Sequence, residues 1–315
     1  MTIAPADLGA LLGAIVLAAA GGEAFLKAIL GAATHLRVPR AVAATTLAAF
    51  ATSSPELTVS TVAALSGRPE IGLGNALGSN VVNIAFIFGL ALLFGAIRPA
   101  RRNFGGDFLL ALAVPVLTLA LALDGRIGRA EGALLLMLFA VWLGFVVRAT
   151  LRHRDRTPPA PPPTSGPGPW LTLILGVLGF AALVAAGRLF VTGASGLAAA
   201  LQIDTYVVGV VLVSIGTTLP ELVTVLLSRL RGHDDIGVGT LIGSNLFNGL
   251  AVVGLAAAIH PIAAPPAEIA VTLVAGTAAL LLLPPVSRGL IPRWRGPLLL
   301  LLYGGFLWIT LTTSQ

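Results

Sequence analysis

The chain has 315 residues, of which 57% are hydrophobic and 10% charged, with a net charge of +6. Soluble domains carry about 45–50% apolar and about 25% charged residues, so a large soluble domain, a disordered tail and a coiled-coil rod are excluded. A nucleic-acid binder is excluded with them, because basic loops are what membrane insertion itself demands.

At about 20 apolar residues per span there is material for roughly nine or ten membrane helices. Reading apolar runs against their breaks in chain order predicts ten, at 7–31, 41–66, 71–97, 106–123, 129–149, 170–199, 205–228, 236–259, 266–284 and 296–312. The first lacks a basic leader region, its one early charge being Asp7, and is expected to be a span and not a cleaved signal peptide. With no Cys, disulfides, thiol catalysis and Cys-ligated zinc are out. His35, His153, His233 and His260 fit no metal-ligand spacing.

The basic residues are distributed unevenly. Fourteen of nineteen fall in the loops after odd-numbered spans, from Arg37 and Arg40 to Arg288, Arg293 and Arg295. Three (Arg68, Arg126 and Arg129) fall on the other side, and Lys27 and Arg188 lie within spans. The positive-inside rule then puts both termini outside the cytoplasm in a multi-pass protein of the cell (inner) membrane. The Pro-rich stretch 157–169 cannot be helical and reads as a cytoplasmic linker. It separates a first five-helix repeat, 1–156, from a second, 170–315.

Sliding the chain on itself by 165 residues lays 51–89 over 216–254 without a gap, with 14 identities in 39 positions. Only two of these are Leu; the rest include Pro55/Pro220, Glu56/Glu221, Ser79/Ser244, Asn80/Asn245 and Asn83/Asn248. Five spans per half is an odd number, so the second half enters the membrane from the opposite side. The expected fold is an all-α polytopic membrane protein built from inverted repeats, an arrangement of secondary transporters with a midplane site.

The polar residues concentrate in 51–57, 216–222, 78–83 and 243–248. Pro55 and Pro220 cannot bond back to the preceding turn, so each span is expected to break there, with Ser or Thr capping the new half-helix. Carboxylates at the bilayer centre are costly, and Glu56 and Glu221 stand at equivalent positions. If they converge they repel, and a bound cation such as Ca²⁺ resolves the conflict. Thr52 with Glu56, Ser79 with Asn83, Thr217 with Glu221 and Ser244 with Asn248 are spaced i,i+4 and share helix faces. Their donors are hard oxygens suited to Na⁺ or Ca²⁺. Gly74, Gly78, Gly239 and Gly243 form small-xxx-small patterns that admit close helix approach. Hydrogen-bonding glue between helices would account for Ser79 or Asn80 alone, but not for two intramembrane carboxylates.

Thr-Ser-Ser-Pro-Glu-Leu with Gly-Ser-Asn-x-x-Asn, repeated as Thr-Thr-Leu-Pro-Glu-Leu with Gly-Ser-Asn-x-x-Asn, resembles the two α-repeats of the sodium/calcium exchanger family in the cation/Ca²⁺ antiporter superfamily. The likeness is to its short prokaryotic members. The resemblance implies Glu56 and Glu221 as central acidic ligands, and Thr52 and Thr217 as carbonyl or hydroxyl ligands with Ser53 and Thr218 beside them. It further implies Ser79 and Ser244 as flanking Na⁺ ligands, Asn83 and Asn248 as the central amide pair, and the carbonyls of Ala49 and Ser214 at peripheral sites. It implies exchange of Na⁺ for Ca²⁺, electrogenic at 3:1, with no enzymatic activity, no cofactor and no obligatory protein partner. The bound partners are Na⁺, Ca²⁺ and lipid.

The chain departs from the family pattern in places. Asn248 stands where some members carry Asp, which argues against a K⁺ requirement. Ala51 replaces the usual Gly, and Ser54 the usual Leu. Thr52-Ser53 and Thr217-Thr218 stand where proton-coupled relatives tend to carry Gly-Asn, which favours Na⁺. The rival readings are a proton-coupled Ca²⁺ exchanger, a cation channel and an intramembrane hydrolase; no second catalytic group accompanies either Glu. Glu23 is expected to pair with Lys27, four residues on, or with Arg188, its counterpart at the repeat offset, as a local pair or as part of a gate.

Overall fold

A computed structural model describes residues 5–36, 40–99, 104–156, 167–200, 214–286 and 289–313. The first half begins with α1 (Pro5–Leu36). A compound helix follows: α2 (Arg40–Ala43), a π-helical turn at Ala44–Ala48, α3 (Ala49–Thr52) and α4 (Ser54–Leu65). Next come α5 (Pro69–Val81), a π-helical stretch at Val82–Phe88 and α6 (Gly89–Leu93), then α7 (Gly106–Leu121) and α8 (Arg129–Arg156).

The second half repeats the plan. It comprises α9 (Pro169–Ala200), α10 (Ser214–Thr217) and α11 (Leu219–Leu230). After them come α12 (Asp234–Leu246), a π-helical stretch at Phe247–Val252, α13 (Val253–Ile259), α14 (Pro266–Leu281) and α15 (Arg295–Thr313). The expected span at 205–228 enters the described residues at Ser214, and linker residues 157–166 lie outside them.

Six helices among the described residues are long and apolar enough to cross a membrane, and Gly106–Leu121 and Pro266–Leu281 are shorter apolar ones. Two of the six, Pro69–Leu93 and Asp234–Ile259, are 83% buried and form the centre. Arg129–Ala149, Pro169–Ala186 and Arg295–Thr312 are less than a third buried and turn Leu, Val, Phe and Trp side chains outward. That inverted surface suits a lipid solvent, which does not penalise exposed apolar area.

Local chemistry fixes the turns. Gly67 and Gly232, 165 residues apart, have φ of 72° and 74° and end α4 and α11. A side chain there would be strained, so the reversal into α5 and α12 needs glycine. Arg229 pairs with Asp234 at 2.8 Å and donates to the Phe94 and Ala96 carbonyls, tying that turn to the first half. Gly243 is required by packing: a Cβ there would collide with the Thr45 carbonyl and lie 2.7 Å from Ala49 Cβ. The absent side chain lets α12 press on the π turn of the first half.

The halves also join by short β contacts. Arg126–Ile127 pairs antiparallel with Ile262–Ala263, and Ile97 bridges Ile291. At the 165-residue offset Ile97 maps onto Ile262 and Arg126 onto Ile291, so the two contacts fall on corresponding segments of the repeats, one residue apart in register. Helices α1 and α9 pack against each other along their length, with Gly21 on Ala182 and Gly179 on Phe25. Each has 32 residues. At about 1.5 Å per residue that exceeds the roughly 30 Å hydrocarbon core, so they cross it tilted or protrude.

The expected breaks at Pro55 and Pro220 are milder than the sequence suggests. Only Ser53 (φ −85°, ψ 6°) and Thr218 (φ −84°, ψ 5°) leave helical geometry. Hydrogen bonds from Ser53 N to Ala49 O (2.9 Å) and from Leu57 N to Ser53 O (3.1 Å) carry the helix through. Capping by Ser or Thr does not occur either, since neither hydroxyl makes a cap bond. A single residue absorbs the missing Pro donor, which leaves few free amides to cap and frees the hydroxyls for other partners.

Candidate ion-binding site

Each kink sets a Glu in the first turn of the helix that follows, Glu56 in α4 and Glu221 in α11. The positive end of a helix dipole favours a carboxylate there. Both side chains are 0% exposed and close enough to interact electrostatically.

The two are served unequally. Glu221 Oε1 accepts from Ser53 Oγ at 3.1 Å, across the repeats, and from Ser244 Oγ at 3.0 Å, while Oε2 has no partner. Neither oxygen of Glu56 has one. The Thr217 and Ser79 hydroxyls are its polar neighbours, and neither reaches hydrogen-bond geometry with it. The Thr217 hydroxyl instead donates to Asn75 Oδ1 at 3.1 Å, and Thr218 to the Ser214 carbonyl at 2.8 Å.

The amides complete the cluster. Asn83 Nδ2 donates to Asn245 Oδ1 at 3.0 Å. Asn80 and Asn245, repeat counterparts, donate reciprocally to each other's backbone carbonyls, both at 3.3 Å. Ser79 Oγ, Asn83 Oδ1 and both polar atoms of Asn248 are buried without a partner. Buried polar groups are nearly always hydrogen-bonded, and an unsatisfied one costs about 1–3 kcal/mol. The orphan oxygens of Glu56, Glu221, Ser79, Asn83 and Asn248 are all hard donors of the kind Ca²⁺ takes six to eight of. Among the described residues no three His, Cys, Asp or Glu side chains cluster, so the acidic groups gathered here are the two carboxylates.

All the residues singled out in the sequence are buried here: Glu56, Glu221, Thr52, Thr217, Ser53, Thr218, Ser79, Ser244, Asn83, Asn248, Ala49 and Ser214. Thr52 Oγ1 lies 3.4 Å from Ser244 Oγ, joining the halves. The carbonyls of Ala49 and Ser214 are engaged locally, accepting from Ser53 N and Thr218 N and from the hydroxyls of Thr52, Thr217 and Thr218. Sequence reasoning missed Asn75, whose repeat counterpart is Thr240, so that no matching identity marked it. It also left out the Asn80–Asn245 contact, although the repeat identity had marked both residues.

The expected pairing of Glu23 is partly corrected. Lys27 is a partner at 3.4 Å, but Arg188 is not. Arg231 takes that place with Nη2 3.0 Å from both carboxylate oxygens, because Gly22 seats α1 against Val223 and brings the end of α11 within reach.

Comparison with known proteins adds a lineage. The family model for the sodium/calcium exchanger protein matches residues 7–148 and 171–312. CaxA of Alkalimonas amylolytica is 34% identical over 255 residues, covering 78% of this chain and 79% of that one. The inner membrane protein YrbG of Escherichia coli is 35% identical over 231 residues, 71% of each chain. A structure of the sodium-calcium exchanger NCX_Mj, soaked with 2.5 mM Na⁺ and 0.1 mM Ca²⁺, superposes with a TM-score of 0.79 at 28% identity, covering 94% of this chain and 96% of that one. The chain belongs to the sodium/calcium exchanger protein family, whose members are membrane antiporters.

Proposed function

We propose that the protein is a secondary active antiporter that exchanges Na⁺ for Ca²⁺ by alternating access, electrogenically at 3 Na⁺ to 1 Ca²⁺. The observation that carries this reading is the pair of fully buried carboxylates with three of four oxygens unpartnered, ringed by orphan hydroxyl and amide oxygens. Ca²⁺ is substrate here. It would be held by Glu56 and Glu221 with Thr52, Thr217, Asn83 and Asn248, while Ser53, Thr218, Ser79, Ser244 and the carbonyls of Ala49 and Ser214 would serve Na⁺. Ca²⁺ and the Na⁺ set compete for the same two charges. One or the other compensates the carboxylates, and a site with both charges bare resists being carried past apolar helices. Strict exchange follows.

The architecture in this reading is ten spans in two inverted five-helix repeats, 1–156 and 170–315, joined by the linker at 157–169, with both termini outside the cytoplasm. The reciprocal Asn80–Asn245 bonds support a two-fold axis through that contact, since a residue touches its own counterpart only near such an axis. The paired β contacts at Ile97–Ile291 and Arg126–Ala263 support the same symmetry.

The test is purified protein in sealed vesicles. An outward Na⁺ gradient at clamped pH should drive ⁴⁵Ca²⁺ uptake, and an inside-positive potential should speed it, since three Na⁺ leave for each Ca²⁺ that enters and one net positive charge moves outward. Uptake driven by a proton gradient and indifferent to Na⁺ would establish the proton-coupled rival instead.

A further inference from the structure

A cavity of about 610 Å³ lies between α9 and the first-half core. Ser54, Pro55 and Thr58 line it from α4, Phe180 and Arg188 from α9, and Thr217 from α10. Thr217 is a polar neighbour of Glu56, so the cavity's lining reaches the residue beside the carboxylate pair. Arg188 is the one ionisable side chain among its described lining residues. Its side chain is exposed and forms no ion pair with a described residue. It stands two residues beyond the apolar window Pro169–Ala186, near the membrane surface opposite the linker. Its repeat counterpart Glu23 is clamped by Arg231 and Lys27, so the two faces of the molecule differ in charge at equivalent positions.

We propose that Arg188 is a specificity-determining residue, a fixed positive charge at the mouth of an outward-facing cation vestibule that disfavours divalent entry more than monovalent entry. This rests on the exchange reading above. The local concentration of an ion falls exponentially with its charge times the potential it meets. Whatever factor Arg188 imposes on Na⁺, it therefore imposes the square of that factor on Ca²⁺. The external face is then poised for Na⁺ entry and Ca²⁺ release. An exposed charge is screened by salt, so the discrimination shrinks as ionic strength rises.

The experiment measures half-saturating Ca²⁺ and Na⁺ for exchange in right-side-out and inside-out vesicles carrying the full chain, at low and high ionic strength. Wild type, Arg188→Lys and Arg188→Gln are compared. Arg188→Gln should lower half-saturating external Ca²⁺ by about fourfold and Na⁺ by about twofold at low salt, with both shifts fading at high salt. Arg188→Lys keeps the charge and should match wild type. No shift, equal shifts for the two ions, or the same shifts on the cytoplasmic face would overturn the inference while leaving exchange intact. A wild-type protein without Na⁺-driven Ca²⁺ flux would overturn the exchange reading and this inference with it.

Discussion

The two halves of the site share their motifs and differ in how they hold their carboxylates. Glu221 has one oxygen fixed by Ser53 and Ser244, whereas Glu56 has none fixed. Part of the cause lies in positions where the repeats diverge, and part does not, since Ser244 bonds Glu221 while its identical counterpart Ser79 bonds nothing. Ser53 reaches across to Glu221, but its counterpart Thr218 turns back to the Ser214 carbonyl. Asn75 draws Thr217 away from Glu56, and the first-half Thr52 meets Ser244 and no such amide. A duplicated sequence thus sets one carboxylate oriented by two hydroxyls beside one that no hydrogen bond holds.

The largest expected effect comes from removing either charge. Glu56→Gln and Glu221→Gln should each lower Na⁺-driven Ca²⁺ flux by about 100-fold or more, since each takes away one of the two charges that would compensate a buried Ca²⁺, and leaving a buried charge uncompensated costs about 3–5 kcal/mol. Flux surviving in one of the two would show the comparison to be one of kind and not of degree. Next, Ser53→Ala should weaken half-saturating Ca²⁺ by about tenfold, because a hydrogen bond to a charged group contributes about 1.5–3 kcal/mol and its loss leaves Glu221 less oriented. Thr218→Val, which removes a hydroxyl bonded to its own backbone, should change that value by less than about threefold. Equal responses from the pair would erase the asymmetry.

Two smaller effects concern stability. Gly243→Ala should lower the midpoint of thermal unfolding, an overpacking cost of about 1–3 kcal/mol, because its Cβ meets the Thr45 carbonyl. An unchanged midpoint would mean that α12 does not need this close approach. The Thr240 hydroxyl is buried without a partner, so Thr240→Val should leave the midpoint unchanged or raise it slightly.

The buried acidic pair, the positions of the two kinks and the burial of the hydroxyls and amides around them were legible in the sequence, while the mildness of the kinks and their missing Ser or Thr caps were not. Each rests on a cost that a membrane makes explicit: a charge in hydrocarbon, a Pro in a span, a repeat that preserves polar residues. The π-helical turns at Ala44–Ala48, Val82–Phe88 and Phe247–Val252 were not. No residue type marks an extra residue per turn; packing against a neighbouring helix decides it. Hydroxyl direction escaped for the same reason. Ser53 and Thr218 occupy equivalent positions, and only the distance to the opposite half determines whether a hydroxyl caps, turns back or crosses over. The Glu23–Arg231 pair spans 208 residues, beyond any spacing rule.

Calcium titration of the purified protein without Na⁺, by calorimetry, tests the central claim most directly. Wild type should bind one Ca²⁺ per chain, displaced by Na⁺, and Glu56→Gln with Glu221→Gln together should bind none while remaining folded. Ca²⁺ bound with unchanged affinity by the folded double variant would contradict the assignment of these two carboxylates as its seat.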